Sequence, residues 1–297
     1  MRIFLTGANG FIGARLVSEL IGAGHRVLGL TRSDAGAEKL RAAGAEEHRG
    51  DLGALRTLRQ GAEKCDGVIH TAFDHDFTRY AVNCAQDERA IAALGEVLRG
   101  SDRPFVITST TLFGEAVPGR RADEDVFNPE HPNPRALSEI AAMTMIERGM
   151  SVSLLRLSQI HDTCRQGLVS FLIRLAQQKG CSAYIEGMPR RWSAAHVSDT
   201  TRLYRLALEK GAVGARYHAT SEEGVCVRAI AEAIGKRLNL PVMALPRSEA
   251  IAHFGWLYGF VSKDMLASSD KTRQRLAWSP DGPGLLDDIS RLATGPA

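Results

Sequence analysis

No charge of one sign dominates this chain. Lys and Arg number 37 against 34 Asp and Glu, a net charge of +3. Neither nucleic acid nor an anionic membrane surface is therefore expected as a main partner. No apolar run approaches the roughly 20 residues that span a bilayer. The five cysteines, Cys65, Cys84, Cys164, Cys181 and Cys226, contain no C-x-x-C pair. They read as reduced thiols of a cytoplasmic protein rather than a disulfide frame or zinc site, and no metal is expected. A glycine-rich loop begins at residue 6, leaving no room for a signal peptide before the first strand. Internal repeats and low-complexity segments are absent. What remains is the composition of an ordinary soluble globular protein, with 297 residues, enough for one large core or two modest domains.

The loop itself reads Thr6-Gly7-Ala8-Asn9-Gly10-Phe11-Ile12-Gly13. Arg2-Ile3-Phe4-Leu5 before it has the pattern of a short buried strand. After it, Phe11, Ile12, Leu16, Val17, Leu20 and Ile21 fall on one helical face. A glycine-rich turn between strand and helix lets the backbone approach a pyrophosphate, whose charge then sits at the positive end of the helix. The spacing is G-x-x-G-x-x-G rather than G-x-G-x-x-G, so the flanking strand and helix carry the dinucleotide reading.

Strands are expected at Arg2–Thr6, Arg26–Leu30, Glu46–Arg49, Gly67–Thr71, Pro104–Ser109 and Val152–Leu157, with helices between them, a long one around Thr78–Arg99. That alternation predicts an α/β fold, a doubly wound parallel sheet with ligands at the carboxyl ends of its strands. After residue 157 the rhythm changes. Helices are expected near Gly167–Lys179, Ser198–Glu209, Val225–Leu238, Arg247–Phe254 and Leu285–Leu292, with strand-like pieces at Cys181–Ile185 and Arg216–Ala219. The division expected is a dinucleotide-binding domain over 1–157 and a smaller α/β substrate lobe over 158–297, partly interleaved with the first.

The second strand ends Leu28-Gly29-Leu30-Thr31-Arg32-Ser33. An NAD site usually places an acid here to accept from the ribose 2′-hydroxyl. Arg32 stands there instead, and a guanidinium grips a 2′-phosphate. This favours NADP over NAD, with Asp34 left as an acid that serves a 2′-hydroxyl if NAD is used. Asp51 and Leu52, after the third strand, are placed against the adenine; Asp51 reads equally as a helix cap.

Across nearly its whole length the chain resembles the extended short-chain dehydrogenase/reductases, the NAD-dependent epimerase/dehydratase family. The resemblance rests on Gly7, Gly10 and Gly13, on Gly50-Asp51-Leu52, and on Val68-Ile69-His70-Thr71-Ala72. It continues through Thr108-Ser109-Thr110-Thr111-Leu112-Phe113-Gly114 and Arg191-Trp192-Ser193-Ala194-Ala195-His196-Val197-Ser198-Asp199. It implies cofactor contacts at Thr6, Gly7, Asn9, Gly10, Phe11, Ile12 and Gly13, at Thr31, Arg32 and Ser33, at Asp51 and Leu52, at Thr71, Ala72 and Phe73, and at Thr108. It also implies a homodimer through helices about Thr78–Arg99 and Pro134–Arg148, where Val82, Ala85, Ile91, Leu94, Val97 and Leu98 offer more apolar surface than one buried face uses.

The family's chemistry uses a serine and a Tyr-x-x-x-Lys pair. Ser109 matches the serine. Matching Pro134 and Ser138 to the family's P-Y-x-x-S-K places Arg135 at the tyrosine and Glu139 at the lysine, an atypical branch. Arginine stays charged at any useful pH and cannot be the ordinary proton donor. The i, i+4 spacing predicts an Arg135–Glu139 ion pair, either catalytic or structural.

Two functions follow. One is an NADP(H)-dependent oxidoreductase reducing a carbonyl or imine, with Ser109 on the substrate oxygen and Arg135 facing the developing charge. Its proton comes from water, His75 or His161, whose neighbours Asp74, Asp76 and Asp162 are expected to keep the rings protonated near neutral pH. Glu139 suits a cationic imine. The other is a non-catalytic NADP(H)-binding redox sensor; an epimerase or dehydratase using bound nucleotide stays open. Aromatic residues are only 6% of the chain, yet His253-Phe254-Gly255-Trp256-Leu257-Tyr258-Gly259-Phe260 concentrates them, with glycines that suggest a bend or hinge. Trp256 and Tyr258, with Trp192 and His196 by resemblance, are the candidate substrate contacts, for a small to medium, partly apolar molecule.

Overall fold

The computed structural model of the protein describes residues 1–117 and 119–293. Strands β1 (Arg2–Thr6), β2 (Arg26–Thr31), β3 (Glu46–Arg49), β4 (Gly67–His70), β5 (Phe105–Thr110) and β6 (Val152–Leu157) alternate with helices α1 (Phe11–Gly22), α2 (Asp34–Ala42), α3 (Leu55–Glu63), α4 (Tyr80–Leu98) and α5 (Leu137–Glu147). The second half continues through β7 (Gln159–His161), α6 (Val169–Lys179), β8 (Ser182–Ile185), β9 (Arg191–His196), α7 (Val197–Lys210), β10 (Arg216–Ala219), β11 (Glu222–Cys226) and α8 (Val227–Leu238). Then follow β12 (Val242–Leu245), α9 (Arg247–Phe254), α10 (Tyr258–Val261), α11 (Asp270–Leu276) and α12 (Leu285–Ser290).

Seven parallel strands form one sheet in the order β10-β6-β5-β4-β1-β2-β3. The order reverses between β1 and β4, the switch point where such sheets bind ligands. Both faces are covered. Ile3 and Leu5 pack with Leu16, Leu20 and Leu203 on one side, and Phe4 packs with Leu58, Ile91 and Leu94 on the other. Alternation along β1 produces this split, since successive side chains leave a strand on opposite faces. The chain's second half returns α7 and β10 to this sheet, α7 packing on α1.

The rest forms a lobe of two small sheets, β11-β9-β7 and β12-β8, with its own core around Trp192, Ile230, Phe254 and Leu257. Strands β7, β9, β11 and β12 escaped the periodicity reading. They are short, and Arg191-Trp192-Ser193-Ala194-Ala195-His196 has no β-branched residue to signal a strand. Val225 and Cys226, expected at a helix start, close β11 instead.

The surplus apolar surface expected on α4 is mostly consumed inside the subunit. Ile91, Leu94 and Leu98 are buried, Ala85 and Val97 are half-buried, and Val82 is exposed. None of the helices is long and apolar enough to cross a membrane among the described residues.

Gly13 fixes how closely α1 approaches β1. A Cβ there would fall 2.0 Å from Gly7 O and 3.0 Å from Ala8 Cα. Gly13→Ala should therefore push α1 outward and lower stability by about 1–3 kcal/mol, measured by urea unfolding; an unchanged midpoint would show that this contact does not set the helix position.

Candidate active site

A cleft of about 2540 Å³ opens at the carboxyl edge of the sheet and continues against the second lobe. Pockets for one drug-sized molecule run to roughly 1,000 Å³, so this cleft has room for a dinucleotide and a substrate together. Its floor at the switch point is the glycine loop. Gly7 adopts φ +72°, a left-handed conformation that suits glycine. Gly10 N donates to Gly7 O at 2.8 Å, and no side chain caps the amino end of α1. The helix start is left to bind an anion. A Cβ on Gly10 would meet only Gly7 O, at 3.0 Å, within 4 Å, so a side chain there would occupy the cradle itself.

Gly7, Asn9, Gly10, Phe11, Ile12, Gly13, Thr31, Arg32, Ser33, Asp51, Leu52, Thr71, Ala72, Phe73 and Thr108 all line this cleft. Thr6 does not. It is buried beneath the loop, its Oγ1 bonded to His70 Nδ1 at 2.8 Å, because strand β1 turns its last side chain toward β4. Lys39 on α2 joins Arg32 on the wall, a cation that the sequence reading overlooked. Asp34 does not line the cleft; it pairs with Arg49 on the outside. Asp51 does both things expected of it: it lines the cleft, and its Oδ1 accepts from Gly53 N at 2.7 Å and Ala54 N at 3.1 Å, shaping the turn into α3.

The expected Arg135–Glu139 ion pair is absent; each residue pairs elsewhere. Arg135 lies in a 3-10 turn, Pro134–Ala136, that precedes α5, so α-helical i, i+4 geometry does not hold there. Its guanidinium binds Asp87 Oδ2 and Ser138 Oγ, donates to Thr108 O at 3.3 Å, and lies 4.1 Å from the centroid of the Phe73 ring. Burial opposes ionisation of Asp87, but Arg135, His70 and Ser138 outweigh it and hold its pKa at about 2. Glu139 is fully buried. Its Oε1 accepts from Ser109 Oγ at 2.6 Å and Arg156 Nε at 2.8 Å, and its Oε2 from an Arg156 terminal nitrogen at 2.7 Å and Arg216 Nε at 3.2 Å. His218, beside Arg156, is kept neutral by burial and that guanidinium, its pKa pushed down to about 3.

This arrangement revises the role expected of Ser109. Its side chain lines the cleft, yet its proton is donated to Glu139. With that proton engaged, only the oxygen's lone pairs are left free.

The two histidines separate. His161 is fully buried on β7 and bonded to Asp288 Oδ2 at 2.6 Å; it does not line the cleft. His75 does line it, exposed at the rim, with Nδ1 donating to Phe73 O at 3.1 Å in the neutral ring. Neither ring is held protonated. Burial lowers the His161 pKa against the pull of Asp288. Desolvation and the charges of Arg135 and Arg165 lower that of His75 against Asp74. Asp76 caps the following turn through Thr78 N at 3.0 Å, and Asp162 is held by Arg15.

Of the four substrate candidates, one reaches the cleft. Trp256 lines it. Trp192 is fully buried in the second core. His196 Nδ1 bonds Ser198 Oγ at 2.7 Å at the start of α7, and Tyr258 Oη accepts from Arg247 Nε at 3.1 Å. A tryptophan in a small lobe is as useful to a core as to a pocket, and sequence cannot separate the two. Gly255 bears out the expected bend, with φ +53°, whereas Gly259 sits inside α10. Phe77, Tyr80 and Phe171 also line the cleft; they lay outside the aromatic cluster that drew attention in the sequence.

Removing one partner of a buried pair leaves an uncompensated charge, at about 3–5 kcal/mol. Glu139→Ala should lose that much in urea unfolding, and Glu139→Leu with Arg156→Met should recover most of it; a loss below about 1 kcal/mol would contradict the pairing. Asp87 contributes stability that is complete above its unfolded pKa of about 3.9 and is lost as pH falls through about 2. Asp87→Asn should flatten the acid limb of the unfolding curve between those values.

A sequence profile described as the NAD dependent epimerase/dehydratase family matches residues 3–221. The chain is 45% identical over 291 residues to an uncharacterized protein of Schizosaccharomyces pombe, covering 98% of each. It is 26% identical over 271 residues to a 4-hydroxy-2-methyl-3-oxo-4-farnesyl-3,4-dihydroquinoline-1-oxide ketoreductase of Stigmatella aurantiaca, covering 86% of this chain and 80% of that one. Its fold is similar to that of Thermus thermophilus UDP-glucose 4-epimerase in complex with NAD, at a TM-score of 0.74, 20% identity, and coverage of 98% and 97%. On the extent of the profile match and the similarity to the yeast protein, the chain belongs to the NAD-dependent epimerase/dehydratase family, whose members bind a nicotinamide dinucleotide in a Rossmann-type fold.

Proposed function

We propose that the chain is an NADPH-dependent reductase of a carbonyl group on a small to medium, partly apolar substrate. The observation that carries this reading is the continuity of the cleft, from the uncapped start of α1, past Arg32 and Lys39, to Ser109 and the rings of the second lobe. When bound, the coenzyme supplies the two-electron reducing equivalent. The glycine loop holds its pyrophosphate. Arg32, just before α2, and Lys39, in its last turn, line the cleft and hold the 2′-phosphate, while Arg49 occupies the carboxylate of Asp34 that a 2′-hydroxyl would need.

Charge under the cleft favours a carbonyl over an imine. The three guanidinium groups of Arg135, Arg156 and Arg216 face the two carboxylates of Asp87 and Glu139. The surplus is positive, so it supports a developing negative oxygen and disfavours a cationic substrate. Arg135 lines the cleft beside Phe73 and acts from there, and Ser109 orients the substrate oxygen once it carries a hydrogen. At neutral pH the proton comes from water; His75 donates only where its ring is protonated, below the ordinary histidine pKa. Engagement of the Ser109 proton by Glu139 favours a second reading, an NADPH-binding sensor without turnover. NADPH bound but not consumed across a panel of aldehydes and ketones would select it.

Losing a charge-assisted contact to a 2′-phosphate costs about 1.5–3 kcal/mol, or roughly 10–100-fold. Arg32→Ala should raise the NADPH KM by that factor and leave the NADH KM unchanged; an unchanged NADPH affinity would overturn the coenzyme assignment. kcat/KM for reduction should rise with acidity along a limb whose pKa lies below 6.5, and His75→Asn should flatten it. A limb that survives the substitution would remove His75 from the mechanism.

A further inference from the structure

Phe77 and Trp256 are 40% and 52% exposed, large apolar rings left in solvent at the cleft wall. They meet at that wall, Phe77 from the turn that leads into α4 and Trp256 from the turn after α9. Their rings stack, with centroids 5.8 Å apart and planes at 25°. Phe171 meets Trp256 edge-on at 5.0 Å, and Phe260 meets it at 6.0 Å. The chain commits an unusual backbone to this: Gly255 takes φ +53° and ψ −127°, which only glycine adopts readily, and so presents Trp256. Two cations share the wall. Arg174 lies 4.4 Å from the centroid of the Phe171 ring, and Arg165 is close enough to His75 for its charge to act on that ring. Neither has a carboxylate within 4.0 Å among the described residues. Asp74, the carboxylate nearby in the loop, accepts from Asp76 N at 3.0 Å.

Resting on the reductase reading above, we propose that this wall selects a flat aromatic carbonyl compound bearing an acidic group. Its ring enters between Phe77 and Trp256, and its acid meets Arg165 and Arg174. Aromatic rings stack at centroid separations of about 4.5–7 Å. Two such contacts in series need more than the 5.8 Å present, so the pair parts to admit the ring. The Phe77 loop is the side that yields, since Phe77 lies on an exposed three-residue turn while Trp256 is braced edge-on by Phe260.

The test uses 2-naphthoate as the probe, against cyclohexanecarboxylate (same charge, no flat ring) and 2-naphthalenemethanol (same ring, no charge). Calorimetric titration should give naphthoate roughly tenfold or more tighter binding than either. Trp192 and Trp278 are 0% and 2% exposed, so acrylamide quenching reads Trp256. Naphthoate should protect that emission. Phe77→Ala should weaken naphthoate about tenfold and leave NADPH affinity intact; Arg165→Ala should erase the preference over the neutral alcohol. Equal binding of cyclohexanecarboxylate, or unprotected Trp256, overturns the proposal. NADPH titrated into the same samples separates the two claims: coenzyme bound without ring binding sinks this inference alone, and no coenzyme binding removes the reading beneath it.

Discussion

Two buried carboxylates, paired with three guanidinium groups, sit at the floor of the cleft, and the geometry above them depends on both. Asp87 of α4 holds Arg135, and Glu139 of α5 holds Arg156 of β6 and Arg216 of β10. Glu139 and Arg156 are wholly out of solvent. An isolated charge there would cost several kcal/mol, so each is acceptable only because its partners and hydrogen bonds are complete. The network extends through His70 to Thr6, under the glycine loop, and through Ser109 to the cleft surface. It therefore fixes α4, α5 and five strands of the sheet, β1, β4, β5, β6 and β10, relative to the place where a coenzyme binds.

That position has a chemical consequence. At the two places where the family resemblance leads one to seek a proton donor and its lysine, Arg135 and Glu139 are hydrogen-bonded into the framework. On the proposed reading, what they give to the cleft is a surplus of positive charge and an oriented serine oxygen. Under the reductase reading proposed above, the chemistry relies on the coenzyme, on electrostatics and on solvent for its proton, and that reading takes an oxygen substrate over a cationic nitrogen one.

The doubly wound sheet was legible in the sequence because most of its strands are apolar runs separated by helices, and β1 and β6 end where those runs end. The glycine loop was legible for the same reason, a local pattern with a local cause. Three things were not. Thr6 and Trp192 lie behind the surfaces they were expected to line, because the direction of a side chain depends on neighbours far away in the chain. The partners of Arg135 and Glu139 come from positions 87, 156 and 216, which no spacing rule on α5 reveals. Phe77 and Phe171 join Trp256 only when the two lobes close on one cleft. Lys39 was within reach of sequence reasoning: it sits on the helix that follows Arg32, where a second cation reinforces a phosphate site.

The most direct test of the framework is a double-mutant cycle on Asp87 and Arg135, with Asp87→Asn and Arg135→Met, read in unfolding free energy and in NADPH affinity. The account predicts that each single change destabilises the protein. It also predicts that the double variant is little worse than either single one, with a coupling of at least about 1.5 kcal/mol, and that NADPH affinity stays within about threefold. Additive losses, or a stable Arg135→Met protein that binds NADPH normally but has lost all turnover, would contradict it and return Arg135 to the chemistry.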